Sequence, residues 1–261
     1  MEFFATAGNI PVHIQDSQKG GKTIILLHGY LETMYIYNEL YDTLAPDYRV
    51  ITMDLPGHGL SCSAPVNTMD IMATVVKGVL DVCGVKEATV AGHSLGGYVA
   101  LACCSMFPEV FTKLVLLNSH PYPDPAEKSA DRDREASLIE VGKLNSLAGI
   151  SIPKMYYIEN LRRCDDKIRE TIELCETHDP SGIVACLRGM QQRPSTEAFL
   201  ASVKIPVLGV MGDNDNFIPM EKINAMKESF PAFRFEIITN CGHNSFVEET
   251  ARVRELLSDF V

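Results

Sequence analysis

The segment from Val90 to Gly97 constrains the fold of this chain more than any other, because it places a serine between two glycines where an apolar strand turns into a helix. It contains the pattern G-x-S-x-G. A sharp strand-to-helix turn of this kind holds the serine backbone in a strained conformation and lifts its Oγ above the edge of a sheet. Gly92 and Gly96 are needed because a side chain at either position would collide with a neighbouring backbone. The segment predicts an α/β fold that exposes Ser94 as a candidate nucleophile.

Short apolar runs alternate with helical patterns along the chain, which is typical of βαβ units and a mostly parallel sheet. The runs that predict strands span residues 23–27, 49–53, 88–91, 114–117, 206–211 and 233–238. No strand-like run occurs between residues 121 and 194, where the sequence is charged and helix-prone. A stretch that long between two strands of one sheet predicts a helical cap over the strand ends. We therefore expect a core of residues 1–120 and 195–261, with residues 121–194 as an inserted cap.

Composition narrows the classes of partner. The chain has 34 acidic and 23 basic residues and a net charge of -11, so nucleic acid is not an expected partner. No apolar run approaches the ~20 residues of a membrane helix, and the N-terminus does not resemble a secretory signal. The eight cysteines are scattered without a C-x-x-C pair, which indicates reduced thiols and no metal site. We expect a cytoplasmic monomer or homodimer that does not bind membranes.

A histidine and a carboxylate are available to activate Ser94. A serine hydroxyl becomes an effective nucleophile when a histidine takes its proton and a carboxylate orients that histidine. An acidic loop follows the penultimate strand, and His243 follows the last strand. Loops that follow parallel strands emerge at one edge of the sheet, which brings these groups to Ser94. Asp213 and Asp215 are both candidates for the acid.

The chain resembles the α/β-hydrolase superfamily, and its small esterases in particular. The resemblance rests on the order serine, acid, histidine and on the motifs His28-Gly29-Tyr30, Asp54 to Ser61, Gly92 to Gly97, Gly212 to Asp215 and Gly242-His243. It implies a mostly parallel sheet flanked by helices, with a helical cap inserted after the sixth strand. The family's G-x-x-D pattern favours Asp215 as the acid.

The oxyanion of a tetrahedral intermediate requires hydrogen-bond donors, which are commonly backbone amides. The amide of Leu95 is expected to supply one donor, because this residue directly follows Ser94 at the start of a helix. The resemblance implies Tyr30 as the other. Together with His243 and Asp215, these residues imply a cofactor-independent serine hydrolase that cleaves small carboxylic esters through an acyl-enzyme.

Two other functions remain open. The first is a C–C hydrolase or lyase that acts on an anionic metabolite, for which Arg132 and Arg134 would bind carboxylates. The second is a ligand receptor that keeps the triad and uses the pocket to sense a small molecule. Multiple turnover on short acyl esters would distinguish an esterase from such a receptor.

Four histidines outside the triad are assigned to loops near it. His28 is expected to form structural hydrogen bonds beneath the oxyanion loop, and His120 opens the cap. Both are retained as candidates for the substrate pocket. His58 and His93 lie within motifs and are expected to fix their loops.

Surface positions are expected for the remaining basic candidates. His13 and His178 are interpreted as ordinary surface residues. The cap arginines are expected in solvent or at the rim of the pocket; they are Arg132, Arg134, Arg162 and Arg163.

Overall fold

Eight strands form one sheet in the computed structural model, which describes residues 1–261. The strands are β1 (Glu2–Ala7), β2 (Ile10–Asp16), β3 (Thr23–Leu27), β4 (Arg49–Met53), β5 (Ala88–His93), β6 (Phe111–Leu117), β7 (Val207–Gly212) and β8 (Arg234–Ile238). Their spatial order is β1-β2-β4-β3-β5-β6-β7-β8. Strand β2 pairs antiparallel with β1 and β4, and all other neighbours are parallel. The expectation of a mostly parallel α/β sheet is confirmed.

Helices cover both faces of the sheet. They are α1 (Asn38–Leu44), α2 (Met69–Val82), α3 (Leu95–Met106), α4 (Ala126–Glu140), α5 (Leu144–Ser151), α6 (Asp165–Cys175), α7 (Pro180–Gln192), α8 (Glu197–Ser202), α9 (Met220–Ser229), α10 (Ser245–Glu248) and α11 (Thr250–Phe260). Helices α2 and α3 share one apolar core with the sheet, and α1 and α11 share the other. None of the helices combines the length and the apolar character that crossing a membrane requires.

The hairpin of β1 and β2 is not predicted by the search for apolar runs. Strand β1 is an edge strand that alternates exposed and partly buried residues, and Phe4 on it is largely exposed. Strand β3, in contrast, is buried at every position and reads as a continuous apolar run. The difference follows from position, because a central parallel strand is covered on both faces and an edge strand is not.

Helices α4 to α8 all lie between β6 and β7, so a helical cap does follow the sixth strand. The division at residues 121 and 194 stays a prediction, and α8 begins just beyond it. Asp179 caps α7 by accepting a hydrogen bond from the Ser181 amide at 2.9 Å, and proline occupies the first helical position.

Helix α7 packs directly on a core loop. A Cβ at Gly189 would lie 1.8 Å from the carbonyl oxygen of Asn67, and one at Gly182 would lie 2.8 Å from Gly57 Cα. The backbone N–H of Asn67 also donates to the carbonyl of Ala185 at 3.1 Å. Backbone-to-backbone contact of this kind requires glycine and fixes the cap over the edge of the sheet that carries Ser94.

Candidate active site

Ser94 lies at the turn between β5 and α3 with φ of 49° and ψ of -110°. A Cβ at Gly92 would lie 2.1 Å from the carbonyl oxygen of Gly96, and a Cβ at Gly96 would lie 2.1 Å from that of Leu27. The expected collisions at both glycines are therefore present. A positive φ at a serine is strained, and this turn exposes Ser94 to a cavity of about 370 Å³.

His243 lines the same cavity as Ser94 and is bonded to Asp215. Its Nδ1 lies 2.7 Å from Asp215 Oδ2. Asp213 does not reach the histidine: its Oδ1 accepts from the side chain of Asn214 at 2.7 Å and from the amide of Cys241 at 3.3 Å. The structure thus brings Ser94, His243 and Asp215 together and leaves Asp213 in a turn.

The carboxylate of Asp215 is held by donors on every side. Its Oδ1 accepts from the amides of Phe217 at 2.7 Å and Ile218 at 3.0 Å, and its Oδ2 accepts from Asn118 Nδ2 at 2.9 Å. Burial raises the pKa of Asp215, but the charge of His243 and these hydrogen bonds lower the pKa more, so it lies below its ordinary value. The group is ionised at neutral pH and orients His243.

Asn118 is a site residue that the sequence analysis does not identify. Besides binding Asp215, its Nδ2 donates to the carbonyl of Gly242 at 3.2 Å, and its Oδ1 accepts from Ser245 Oγ at 2.6 Å. Its position in the sequence could have identified it, because Asn118 is the first residue after β6 and lies at the same edge of the sheet as the other loops. Its φ of 45° lies in the left-handed region, which asparagine adopts more readily than most residues.

Both residues expected to supply the oxyanion amides lie beside Ser94. Leu95 is the first residue of α3, where the helix provides no acceptor for its N–H group. Tyr30 lines the cavity together with Ser94. Leu31, the next residue, has a φ of 66°, which is rare for a large side chain and indicates a strained loop. Their role as donors stays a prediction.

His28 does not line the cavity, contrary to its retention as a pocket candidate. It is fully buried, its Nδ1 donates to the carbonyl of Gly29 at 2.7 Å, and its Nε2 accepts from the amide of Leu55 at 2.9 Å. Both ring nitrogens are occupied by backbone groups, which gives His28 the structural role beneath the oxyanion loop.

His120 does line the cavity. The amide of Tyr122 donates to its Nδ1 at 3.2 Å, so Nε2 carries the proton when the ring is neutral and donates to the Tyr98 hydroxyl at 3.3 Å. Burial, with the nearby charges of Lys222 and Arg193, lowers the pKa of His120 well below its ordinary value. The ring is neutral and leaves the hydroxyl hydrogen of Tyr98 free for another acceptor.

The expectation that His13 and His178 lie at the surface is wrong. His13 is buried, with Nδ1 3.0 Å from Asp54 Oδ2 and Nε2 2.8 Å from Glu2 Oε1. His178 is buried where the cap meets the core, and its Nδ1 accepts from the amide of Gly59 at 2.9 Å. Both residues have hydrogen-bond partners far away in the sequence, so their local sequence gives no sign of burial.

The expectation that the cap arginines are solvated is wrong for Arg132. This residue is buried, lines the cavity and is paired with Asp124. Arg134 is exposed and pairs with Asp131, so the two arginines do not act as a pair in one site. Arg162 and Arg163 are exposed as expected.

The cavity wall that contains Arg132 has an excess of positive charge. Asp124 is shared by two arginines, because Arg193 Nη1 lies 2.8 Å from its Oδ1. Lys128 and Lys222 also line the cavity, and only Glu135 adds a further negative charge. Burial, with the charge of Arg193, lowers the pKa of Lys222. This wall is suited to an anionic group on a ligand.

The α/β-hydrolase fold family matches residues 22–250 of the chain. The chain belongs to this family. Its eight-stranded sheet, inserted cap and strained serine turn are those of an α/β hydrolase.

The proteins similar to this chain include hydrolases of two kinds. The chain is 28% identical to a 2-hydroxy-6-oxononadienedioate/2-hydroxy-6-oxononatrienedioate hydrolase from Paraburkholderia phymatum, over 96% of this chain and 90% of that protein. It is 26% identical to a pimeloyl-[acyl-carrier protein] methyl ester esterase from Nitrosomonas europaea, over 90% of this chain and 94% of that protein. A thermophilic esterase from Thermogutta terrifontis with malate bound has a TM-score of 0.92 and 26% identity, covering 99% of this chain and 97% of that one.

Proposed function

We propose that this hydrolase cleaves small carboxylic esters through an acyl-enzyme on Ser94, with His243 as general base and Asp215 as the orienting carboxylate. The observation that carries the proposal is the 2.7 Å contact between Asp215 Oδ2 and His243 Nδ1, next to a cavity lined by both His243 and Ser94. Because Nδ1 donates to Asp215, the proton-accepting nitrogen of His243 is Nε2.

The reaction proceeds in two halves. His243 takes the proton of Ser94 as Oγ attacks the ester carbonyl, and the oxyanion accepts from the amides of Tyr30 and Leu95. His243 then protonates the departing alcohol. A water molecule, deprotonated by His243, attacks the acyl-enzyme and releases the acid.

We propose further that the preferred ester carries a carboxylate. Three basic residues line the cavity (Lys128, Arg132 and Lys222) against two acidic ones (Asp124 and Glu135), and this excess supports the proposal because a ligand carboxylate would offset it. The bound malate in the Thermogutta terrifontis esterase and the dioate in the name of the Paraburkholderia phymatum enzyme are both dicarboxylates.

Hydrolysis of monomethyl succinate and methyl pentanoate tests both parts of the proposal, since the two esters are of similar length and differ in charge. We expect kcat/KM to be higher for monomethyl succinate, and Ser94→Ala to lower it for both esters by on the order of 10³-fold or more. A fluorophosphonate probe should label Ser94, as mass spectrometry of the adduct peptide can verify. A Ser94→Ala variant with the turnover of the wild type would refute the assignment of the nucleophile.

C–C hydrolysis is a second candidate function. The identity to the Paraburkholderia phymatum enzyme over nearly the whole chain favours it, as does the positive wall of the cavity. Including 2-hydroxy-6-oxononadienedioate in the same assays separates the two. A kcat/KM for this compound well above that for either ester would make C–C cleavage the main activity.

We also propose the cytoplasm as the compartment of this enzyme. All eight cysteines are free thiols in the structure, and six of them are buried. Free cysteines are typical of reducing compartments, where disulfides are rare.

A further inference from the structure

Glu32 is a fully buried carboxylate that contacts three loops of the proposed active site. Its Oε2 accepts from the amide of Gly29 at 2.7 Å and lies 2.9 Å from His93 Nδ1. Its Oε1 accepts from Asn244 Nδ2 at 3.0 Å. These partners belong to the oxyanion loop after β3, the end of β5 before Ser94, and the loop after β8. One side chain therefore joins the segments that carry the proposed oxyanion amide, nucleophile and base.

His93 extends this network to the main chain of the base. Its Nε2 lies 3.1 Å from the carbonyl oxygen of His243, and the two rings pack with their centroids 4.8 Å apart. A carbonyl oxygen only accepts hydrogen bonds, so Nε2 must carry a hydrogen. On the other side, Nδ1 faces Glu32, which also only accepts when ionised.

The contacts of Glu32 indicate that it is ionised. Burial raises the pKa of its carboxyl group, but the charge of His93, their hydrogen bond and the Gly29 amide lower the pKa more, and it lies below its ordinary value. The backbone amide of Gly29 and the side-chain amide of Asn244 each donate to one of its oxygens, which favours the ionised form.

An ion pair of Glu32 and His93, both fully buried, would require an explanation other than stability. Removing both charges from water costs several kcal/mol per ion in real proteins, and the attraction between them often only balances this cost. His28, Tyr37 and Tyr156 are further titratable groups near Glu32, and the ring of His28 is held by the backbone of Gly29 and Leu55. The pair joins only groups of the proposed active site, which indicates a role there.

We propose that Glu32 and His93 form a buried ion pair that positions the proposed catalytic machinery, fixing the main chain of His243 and the oxyanion loop relative to Ser94. Glu32 does not touch substrate, so it is a positioning residue. The inference rests on the proposed function of Ser94 and His243, and it adds a second connection to His243, separate from the one through Asp215. Such precision matters because a displacement of about 1 Å can cost on the order of 100-fold in rate.

Glu32→Gln removes the charge while keeping the shape of the side chain. Asn244 Oδ1 has no hydrogen-bond partner, so rotating the Asn244 amide lets it accept from the new glutamine NH₂ group. The glutamine oxygen keeps its contact with the backbone amide of Gly29, but it no longer offers His93 a negative charge. We expect kcat to fall about 10- to 100-fold with KM within about threefold, and labelling of Ser94 by the fluorophosphonate probe to slow in parallel.

Asp16→Asn is the matched control. Asp16 is another buried carboxylate in an ion pair, with Arg49 Nη2 at 2.6 Å, but it lies on β2 and touches none of the proposed catalytic loops. This variant should lose stability and keep the kcat of the wild type. If Asp16→Asn lowers kcat as much as Glu32→Gln does, the effect is one of stability and the positioning role is wrong.

Nitrogen-15 NMR of histidine-labelled wild-type protein tests the charge without any variant. We expect both nitrogens of His93 to be protonated at neutral pH, and one of them to be unprotonated in Glu32→Gln. An unprotonated nitrogen in the wild type, or a wild-type kcat in Glu32→Gln, overturns the proposal. Failure of the proposed function would look different, because Ser94→Ala would then keep its activity whatever the effect of Glu32→Gln.

Discussion

Asp215 accepts hydrogen bonds from Asn118, Phe217, Ile218 and His243, and this set fixes the direction of its carboxylate. A carboxylate held in this way accepts the Nδ1 proton of His243 and stabilises the imidazolium that forms during the reaction. An amide in its place would present an NH₂ group to Nδ1. The histidine would then keep its proton on Nε2, where it could not accept the proton of Ser94.

At the scale of the residue, we therefore predict that Asp215→Asn lowers kcat by about 10⁴-fold at neutral pH with little change in KM. Asp213→Asn is the matched control, since Asp213 lies two residues away and binds only Asn214 and Cys241. It should cost less than about tenfold in kcat. Steady-state kinetics on a neutral ester, with circular dichroism to verify folding, give the answer. The reverse order of effects would make Asp213 the acid.

At the scale of the element, helix α7 holds the cap on the core through its glycines. The cap supplies Arg132, Asp124 and Met190 to the cavity, so its position determines the shape and charge of that cavity. Gly189 is the tightest contact, because a Cβ there would lie 1.8 Å from the carbonyl oxygen of Asn67. A backbone atom cannot rotate away as a side chain can, so the helix would have to move.

We predict that Gly189→Ala destabilises the protein by about 1–3 kcal/mol, although alanine is intrinsically the better helix former. Gly149→Ala in α5 is the control, since nothing lies within 4 Å of a Cβ at that position. It should raise stability by about 0.5–1 kcal/mol. Thermal unfolding compares the two variants, and limited proteolysis reports whether the cap loosens. Equal melting temperatures for the two variants would show that α7 does not depend on this contact.

At the scale of the whole molecule, the sequence predicts those site residues whose position is determined by the ends of the parallel strands. Ser94, Asp215 and His243 are found because each follows a parallel strand, and these strands end at one edge of the sheet. The roles of Glu32 and Arg132 depend instead on contacts with partners in other elements. Glu32 meets Asn244 across 212 residues, and no periodicity or motif encodes such a pair.

His178, at the junction of cap and core, also makes the stability of the folded protein depend on pH. Its burial lowers its pKa from the ordinary 6.5 to about 4, with a further contribution from His28. The folded state therefore holds this ring neutral while the unfolded chain takes up a proton. The stabilising contribution is complete above about pH 6.5 and is lost as pH falls towards 4. His13 acts in the opposite sense, because Asp54 and Glu2 raise its pKa despite burial.

We predict that His178→Asn reduces the loss of stability between about pH 7.5 and pH 5 by about 2 kcal/mol, since each unit of pKa shift corresponds to about 1.4 kcal/mol. The Oδ1 of asparagine can take the place of Nδ1 and accept from the amide of Gly59, so the junction keeps its hydrogen bond without a titrating group. Urea unfolding at the two pH values measures the difference for wild type and variant. The lowered pKa values of Asp215 and Asp124 cost stability only nearer pH 4, outside this window. If the variant loses as much stability as the wild type, protonation of His178 does not contribute to the loss of stability between these pH values.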